Sequence, residues 1–226
     1  GPLAVFVIAL IAAVLANLLA GKTKIDIILT PAVTVLVGGL LAIFIAPPIG
    51  SFANEFGKLI MWATTQHPFV MGIIVSVIVG ILLTLPVSSA AICASIGLTG
   101  LAGGAAVAGC CAQMVGFACA SFRENKIGGL VAQGLGTSML QIGNIMKNPR
   151  IWIAPTLASA ITGPISTMVF KMEMNGPAIS SGMGTCGMVG PIGVWQGWVS
   201  TGYSATWFDW LGLLLICIVI PAVLTV

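Results

Sequence analysis

Charged residues fall along this chain in a few tight groups, and the stretches between them are almost wholly apolar. The groups are Lys22/Lys24/Asp26, Glu55/Lys58, Arg123/Glu124/Lys126, Lys147/Arg150, Lys171/Glu173 and a lone Asp209. The runs between them are roughly 18–25 residues, the length of helix that crosses about 30 Å of hydrocarbon. The pattern predicts spans over about 3–20, 27–46 and 69–85, with Pro47-Pro48-Ile49-Gly50 closing the second and Pro86 the third. Residues 51–66 differ. Phe52, Phe56, Leu59, Ile60 and Ala63 recur at helical spacing opposite Asn54, Glu55 and Lys58. That spacing reads as an amphipathic helix lying in the interface or packed across the bundle.

After Pro86 the side chains become small. Residues 88–121 are dominated by Ala, Gly, Ser and Cys, which let backbones approach closely and so belong inside a bundle. A break near Thr99–Gly104 divides them into a short re-entrant arm, 88–98, and a span, 105–121. Arg123–Lys126 is a polar turn. In residues 128–146, Gln133, Thr137, Gln141 and Asn144 fall at i, i+4, i+8 and i+11, one face of a helix. Such a neutral polar stripe either lines a cavity or bonds to neighbouring helices. Residues 151–170 form a further span interrupted by Pro155 and Gly163-Pro164, and a last span begins at about Leu211. Between them lies a Trp/Tyr cluster (Trp195, Trp198, Tyr203, Trp207, Trp210) that reads as an interfacial belt.

The strongest departure from helix is NGPAISSGMGTCGMVGPIGVWQGW, residues 175–198, with seven glycines and two prolines. Irregular backbone at membrane depth is tolerated only where protein buries it or where it lines a water-filled cavity. Interrupted segments of this kind are where transporters hold their substrates, and the earlier break at 86–104 is a candidate counterpart in a second structural half. The candidate solute-binding residues follow: Ser88, Ser89 and Thr99 at the first break, Gln133, Thr137, Gln141 and Asn144 on the stripe, and Glu173, Asn175, Ser181, Gly184, Thr185 and Gly187 at the second. Glu173 and Asn175 offer a carboxylate and an amide. The hydroxyls and the freed NH groups around Gly182–Gly187 suit a small polar solute.

Composition fixes the class. Hydrophobic residues make up 58% of the 226 and charged residues 6%, against about 25% charged in soluble domains. The chain is expected to be an all-α integral membrane protein: one transmembrane domain over 1–226, a multi-span helical bundle with re-entrant or broken helices, transporter-like, in contact with the lipid bilayer. A net charge of +3 is too small to suggest nucleic-acid binding. It bears instead on orientation, and Lys22/Lys24, Arg123/Lys126 and Lys147/Arg150 cannot all be cytoplasmic unless one hairpin fails to cross. The six cysteines (Cys93, Cys110, Cys111, Cys119, Cys186, Cys217) mostly sit in apolar runs without CxxC spacing and are read as packing. The opening lacks the charged region of a signal peptide. The chain starts without Met and stops within an apolar run, so further spans are expected at either end.

Catalysis is not expected on this chain. His67 is the single histidine and reads as a surface residue, so a His-based metal site and a Ser-His-Asp triad both fail, and no cofactor is anticipated. There is no G-x-x-x-x-G-K-[ST] loop with which to use ATP.

The run NPRIWIAPTLASAITGPISTMVFKMEMNGPAISSGMGTCGMVGPIGVW resembles the membrane proteins of the sugar phosphotransferase-system IIC-like family, including the PfoR-type regulators of toxin expression. The likeness extends from about Asp26 to Trp198 and is most specific over 147–195. It implies a multi-pass protein of the bacterial cytoplasmic (inner) membrane, a homodimer, a solute site between re-entrant hairpins and a transport bundle, and a separate cytoplasmic phosphotransferase-type partner. Family sugar sites use a Glu and often a His. Here Glu173 is the glutamate near a break and no histidine accompanies it, which weighs against sugar phosphorylation more than against solute binding. Two readings stay open: a transporter subunit for a small polar solute, a sugar among the candidates, and a non-transporting sensor that keeps the same fold.

Overall fold

A computed structural model describes residues 2–19 and 26–226. The basic turn at Lys22 and Lys24, and with it that part of the orientation argument, lies outside the described residues. The described chain is predominantly helical and forms no strand, and its three helices long and apolar enough to cross a membrane cover Ile28–Gln66, Gly100–Ala120 and Trp207–Thr225. The fold is an all-α membrane helical bundle. It divides into two compact units, Gly1–Phe56 and Gly57–Val226.

In the first unit, α1 (Pro2–Leu19) buries Ala4, Ile8 and Ala12 along one stripe, and Ala12 faces Gly38 of α2 (Asp26–Gln66). The sequence places a stop at Pro47-Pro48, but α2 continues through Pro31, Pro47 and Pro48 for 41 residues. Proline ends helices in water because the freed carbonyls can turn to solvent. Hydrocarbon offers no such partner, so the helix persists around the missing donors. The face of 51–66 that packs also differs from the expected one. Phe52, Phe56 and Leu59 are exposed, whereas Ala53, Gly57 and Thr64 are buried. In a bilayer the large apolar side chains face lipid and the small ones face protein, the reverse of the aqueous pattern.

The second unit is built around α5 (Gly100–Ala120), buried without interruption from Ala102 to Ala118. A helix hydrophobic all round, with a weak apolar moment, belongs at the centre of its bundle. Around it pack α3 (Pro68–Thr84), α8 (Ile153–Pro164) and the C-terminal span, made of α10 (Trp207–Leu214), a π turn and α11 (Ile220–Thr225). The predicted start at residue 105 is five residues late. Gly97 adopts a left-handed conformation, Thr99 is extended, and helix resumes at Gly100. The segment expected as a short arm over 88–98 holds the helix α4 (Ser89–Ile96), capped by the Ser88 hydroxyl, which accepts from Ala91 N at 3.2 Å.

Residues 128–146 are not one helix. The chain turns at Lys126 (φ 52°) within α6 (Phe122–Val131), widens to a π turn over Ala132–Gly136, and becomes extended at Thr137. A 3-10 turn and α7 (Ile142–Lys147) follow. Four glycines between 128 and 136 lower the helix propensity, and Thr137 caps the next turn by accepting from Met139 N at 3.2 Å. Pro155 and Pro164, by contrast, do not interrupt the following span. Pro155 sits in the first turn of α8, where its missing donor is harmless, and Pro164 leads into a π turn over Ile165–Val169.

Candidate functional site

The two interrupted regions meet. Ser89 donates to the Gly182 carbonyl at 2.7 Å, and Ser181 donates to the Leu98 carbonyl at 2.6 Å, so each break satisfies an orphan carbonyl of the other. Gly100 and Met174 exchange backbone bonds in both directions, at 2.9 and 3.0 Å. Gly184 (φ 54°) lies against the backbone of Cys110 and Cys111, and Thr99 donates to Met61 Sδ at 3.5 Å. These groups bind one another and close the crossing. Gly187 (φ 51°) is exposed, and Ser88 is taken up as a helix cap.

The polar stripe also forms a connected set, despite the broken backbone. Gln133 donates to Ser121 Oγ at 3.0 Å, Gln141 to Gln133 Oε1 at 2.9 Å, and Asn144 to Gln141 Oε1 at 2.8 Å. Of the two alternatives read from the sequence, bonding to neighbouring groups describes these three amides. Thr137 is outside the set because it caps a turn.

Glu173 and Asn175 lie elsewhere, in an open cavity of about 730 Å³ between the segment 169–175 and the junction of α9 (Val189–Thr201) with α10. Lys171–Asn175 is non-helical, with a backbone bridge from Met174 to Gly100, and exposed and buried side chains alternate along it. Met172 and Met174 are buried in the core behind α5, while Lys171, Glu173 and Asn175 are exposed along the cavity. Asn175 Nδ2 donates to Glu173 Oε2 at 2.9 Å, which orients amide and carboxylate together. A carboxylate has about four acceptor sites, so that one bond leaves most of its capacity for a ligand. Lys171 holds φ 45°, a conformation uncommon outside glycine and one that persists only where surroundings enforce it.

The opposite wall is aromatic. Phe170 packs on Phe208 with ring centroids 4.9 Å apart, and Trp198 meets Trp210 edge-on at 5.1 Å. Tyr203 donates to Asp209 Oδ2 at 3.1 Å, and the same oxygen accepts from Thr206 N at 2.8 Å and Thr206 Oγ1 at 2.7 Å. This capping box fixes the start of α10. Trp198, Tyr203, Phe208, Asp209 and Lys171 are absent from the sequence-derived site. Two signals for them stand in the sequence: the alternation K-M-E-M-N, and the T-x-x-D spacing of Thr206 and Asp209.

The Tyr203 phenol is pushed above the ordinary tyrosine value, first by its hydrogen bond to Asp209 and then by that carboxylate's charge. A raised folded-state value means the bond's contribution is present below about pH 10 and is lost as the phenol ionises above it. Tyr203 is the single tyrosine of the chain, so phenolate absorbance reports it alone. Its midpoint is expected above that of a free tyrosine, and Asp209→Asn should return it to the ordinary value. Equal midpoints in the two proteins would show that the bond is absent.

The cavity combines carboxylate, amide and ammonium groups on one wall with aromatic faces on the other, a mixture that fits hydroxylated solutes better than purely apolar ones. Against known proteins, the family described as "Phosphotransferase system, EIIC" matches residues 1–226. No curated protein and no solved structure matches the chain. The match runs the whole length of an apolar helical bundle with three membrane-length helices, and the chain therefore belongs to the phosphotransferase system EIIC family, as the membrane subunit of a phosphotransferase-type transporter.

Proposed function

We propose that this subunit binds and translocates a small polar solute, a sugar being the class the groups suit best, in the cavity lined by Glu173, Asn175, Trp198 and Tyr203. The observation that carries the reading is the pairing of Glu173 with Asn175 on an exposed edge facing aromatic rings. Carboxylate and amide take hydroxyl hydrogen bonds, and the rings take the apolar face of a pyranose. The crossing of the two breaks, through Ser89 and Ser181, holds the segment that presents this edge. Placement as a multi-pass homodimer in a bacterial inner membrane, with a cytoplasmic phosphotransferase-type partner, is part of the same proposal and rests on the family resemblance.

A second reading keeps the binding site and drops the transport: a sensor that signals through a partner, as in the PfoR-type regulators. His67, the single histidine, stands exposed at the N-cap of α3 and does not line the cavity, which favours solute binding without phosphorylation on this chain. Calorimetric titration of purified protein in nanodiscs with a panel of hexoses and polyols tests the site. One member should bind, and Glu173→Gln should weaken it by about tenfold, the loss of a charge-assisted hydrogen bond. Equal binding in the variant would exclude Glu173. Uptake into reconstituted vesicles separates the two readings, since binding without flux leaves the sensor.

A further inference from the structure

The two ends of the second unit differ in charge. At 1.5 Å per residue, the 21 residues of α5 run about 31 Å, enough to reach from one face of the hydrocarbon to the other. Its ends therefore mark the two faces. At the Gly100 end lie Met174, which exchanges backbone bonds with Gly100, and Phe170, which packs on Gly212 of α10. The start of α3 is there too, since Thr167 donates to the Pro68 carbonyl at 2.8 Å. At the Ala120 end lie the start of α8, with Pro155 against Gly116, and the end of α11, with Thr225 against the same glycine.

The segment between α5 and α8 leaves from the Ala120 end and returns to it. Its amides are strung from Ser121, the residue after α5: Gln133 bonds to Ser121, Gln141 to Gln133, and Asn144 to Gln141. Ser138 meets Thr84 of α3 at 3.0 Å, and Trp152 reaches Gln113 as α8 begins. This is the hairpin that fails to cross, which the spacing of basic residues in the sequence demands. It sets Arg123, Lys126, Lys147 and Arg150 on one face, all exposed, with Glu124 as the one acid among them. The second unit's other basic residues, Lys58 and Lys171, stand at the opposite face with Glu173 and Asp209. Lys58 belongs there because its neighbour Gly57 packs on the Ile96 carbonyl, just ahead of Gly100.

Loops rich in Lys and Arg stay on the cytoplasmic side of a membrane, where anionic headgroups attract them. We infer that the face carrying Arg123, Lys126, Lys147 and Arg150 is cytoplasmic and lies against those headgroups, and that the cavity at Glu173 opens on the outer side. In this conformation the cavity admits solute from outside the cell. A cytoplasmic partner meets the other face, so solute bound at Glu173 is beyond its reach until the cavity opens the other way. The entry of solute rests on the function proposed above; the orientation does not.

Three cysteine substitutions at exposed positions test both halves. Asn125→Cys lies on the basic face, Ser204→Cys between α9 and α10 on the other, and Thr201→Cys on the cavity wall. Each full-length variant, made in the inner membrane of a bacterial host, is treated with a sulfonated maleimide that does not cross lipid. Labelling is read at that cysteine by peptide mass spectrometry and normalised to labelling in detergent. In spheroplasts, which present the outer face, Ser204→Cys and Thr201→Cys should react and Asn125→Cys should not. In inverted vesicles the pattern should reverse. Reaction of Asn125→Cys in spheroplasts would overturn the orientation. Reaction of Thr201→Cys in inverted vesicles alone would overturn the outward opening of the cavity. The labelling needs no solute, so it can fail while Glu173→Gln still weakens sugar binding, and succeed where no sugar binds.

Discussion

Gly109→Val is expected to leave little folded protein. Gly109 lies at the centre of α5, where α3 and α8 both press against it, and a Cβ built there would collide with the Ser76 carbonyl. That obstacle is backbone, so no rotamer change relieves it and α3 would have to move away. Separation would also disturb two buried bonds: Ser76 to the Ser159 carbonyl at 2.8 Å, and Ser159 to the Gly109 carbonyl at 3.2 Å. Overpacking alone costs about 1–3 kcal/mol, and each lost buried bond adds about 1 kcal/mol. Against a total of about 5–15 kcal/mol, the sum removes much of the margin. Thermal unfolding in detergent, followed by circular dichroism and size exclusion, gives the answer. Gly143→Ala is the control, because a Cβ there meets nothing within 4 Å. If Gly109→Val melts with the wild type, the helices are not as close as described.

The second large effect is expected at Gln113, fully buried within α5. Its Oε1 accepts from Trp152 Nε1 at 3.1 Å and from Thr84 Oγ1 at 3.3 Å, and its Nε2 donates to Thr156 Oγ1 at 3.3 Å and Ser159 Oγ at 3.4 Å. Thr84 in turn shares a bond of 3.0 Å with Ser138, at the restart of the broken 128–146 segment. One amide thus ties α3, α5 and α8 to the tip of that break. Gln113→Leu keeps the volume but strands the indole NH of Trp152, a cost of about 1–3 kcal/mol. Trp152→Phe in the same background removes the orphan and should recover part of the loss, a coupling that a double-mutant cycle measures directly. Additive effects of the two substitutions would show that no bond joins them.

The membrane class and the positions of the helices could be read from the spacing of charges, because hydrocarbon thickness sets span length with few exceptions. The ends at Leu19, Thr84 and Ala120 could be read within a residue, but others could not. Pro47-Pro48 reads as a stop because helix-stop rules are learned in water, where a freed carbonyl has a partner. The break at Thr137 was hidden by the regular spacing of Gln133, Gln141 and Asn144, which link up although the helix between them is broken. The breaks at 86–104 and 175–198 were visible as glycine and serine in an apolar context. Their crossing was not, since it depends on long-range bonds from Ser89 and Ser181. Of the cavity, Glu173 and Asn175 stood out as polar residues beside a break. In the sequence Trp198 and Tyr203 read as an interfacial belt, and only the fold brings that aromatic wall opposite the Lys171–Asn175 edge.

The central claim is that solute enters the cavity between Glu173 and Trp198. Tryptophan emission, titrated with the sugar that binds best, tests it most directly. Trp198 lines the cavity, whereas Trp207 is 81% exposed and lies outside it. A saturable change in emission should survive Trp207→Phe and disappear in Trp198→Phe while calorimetry still detects binding. A signal that persists without Trp198 and is lost without Trp207 would place the solute elsewhere and contradict the assignment.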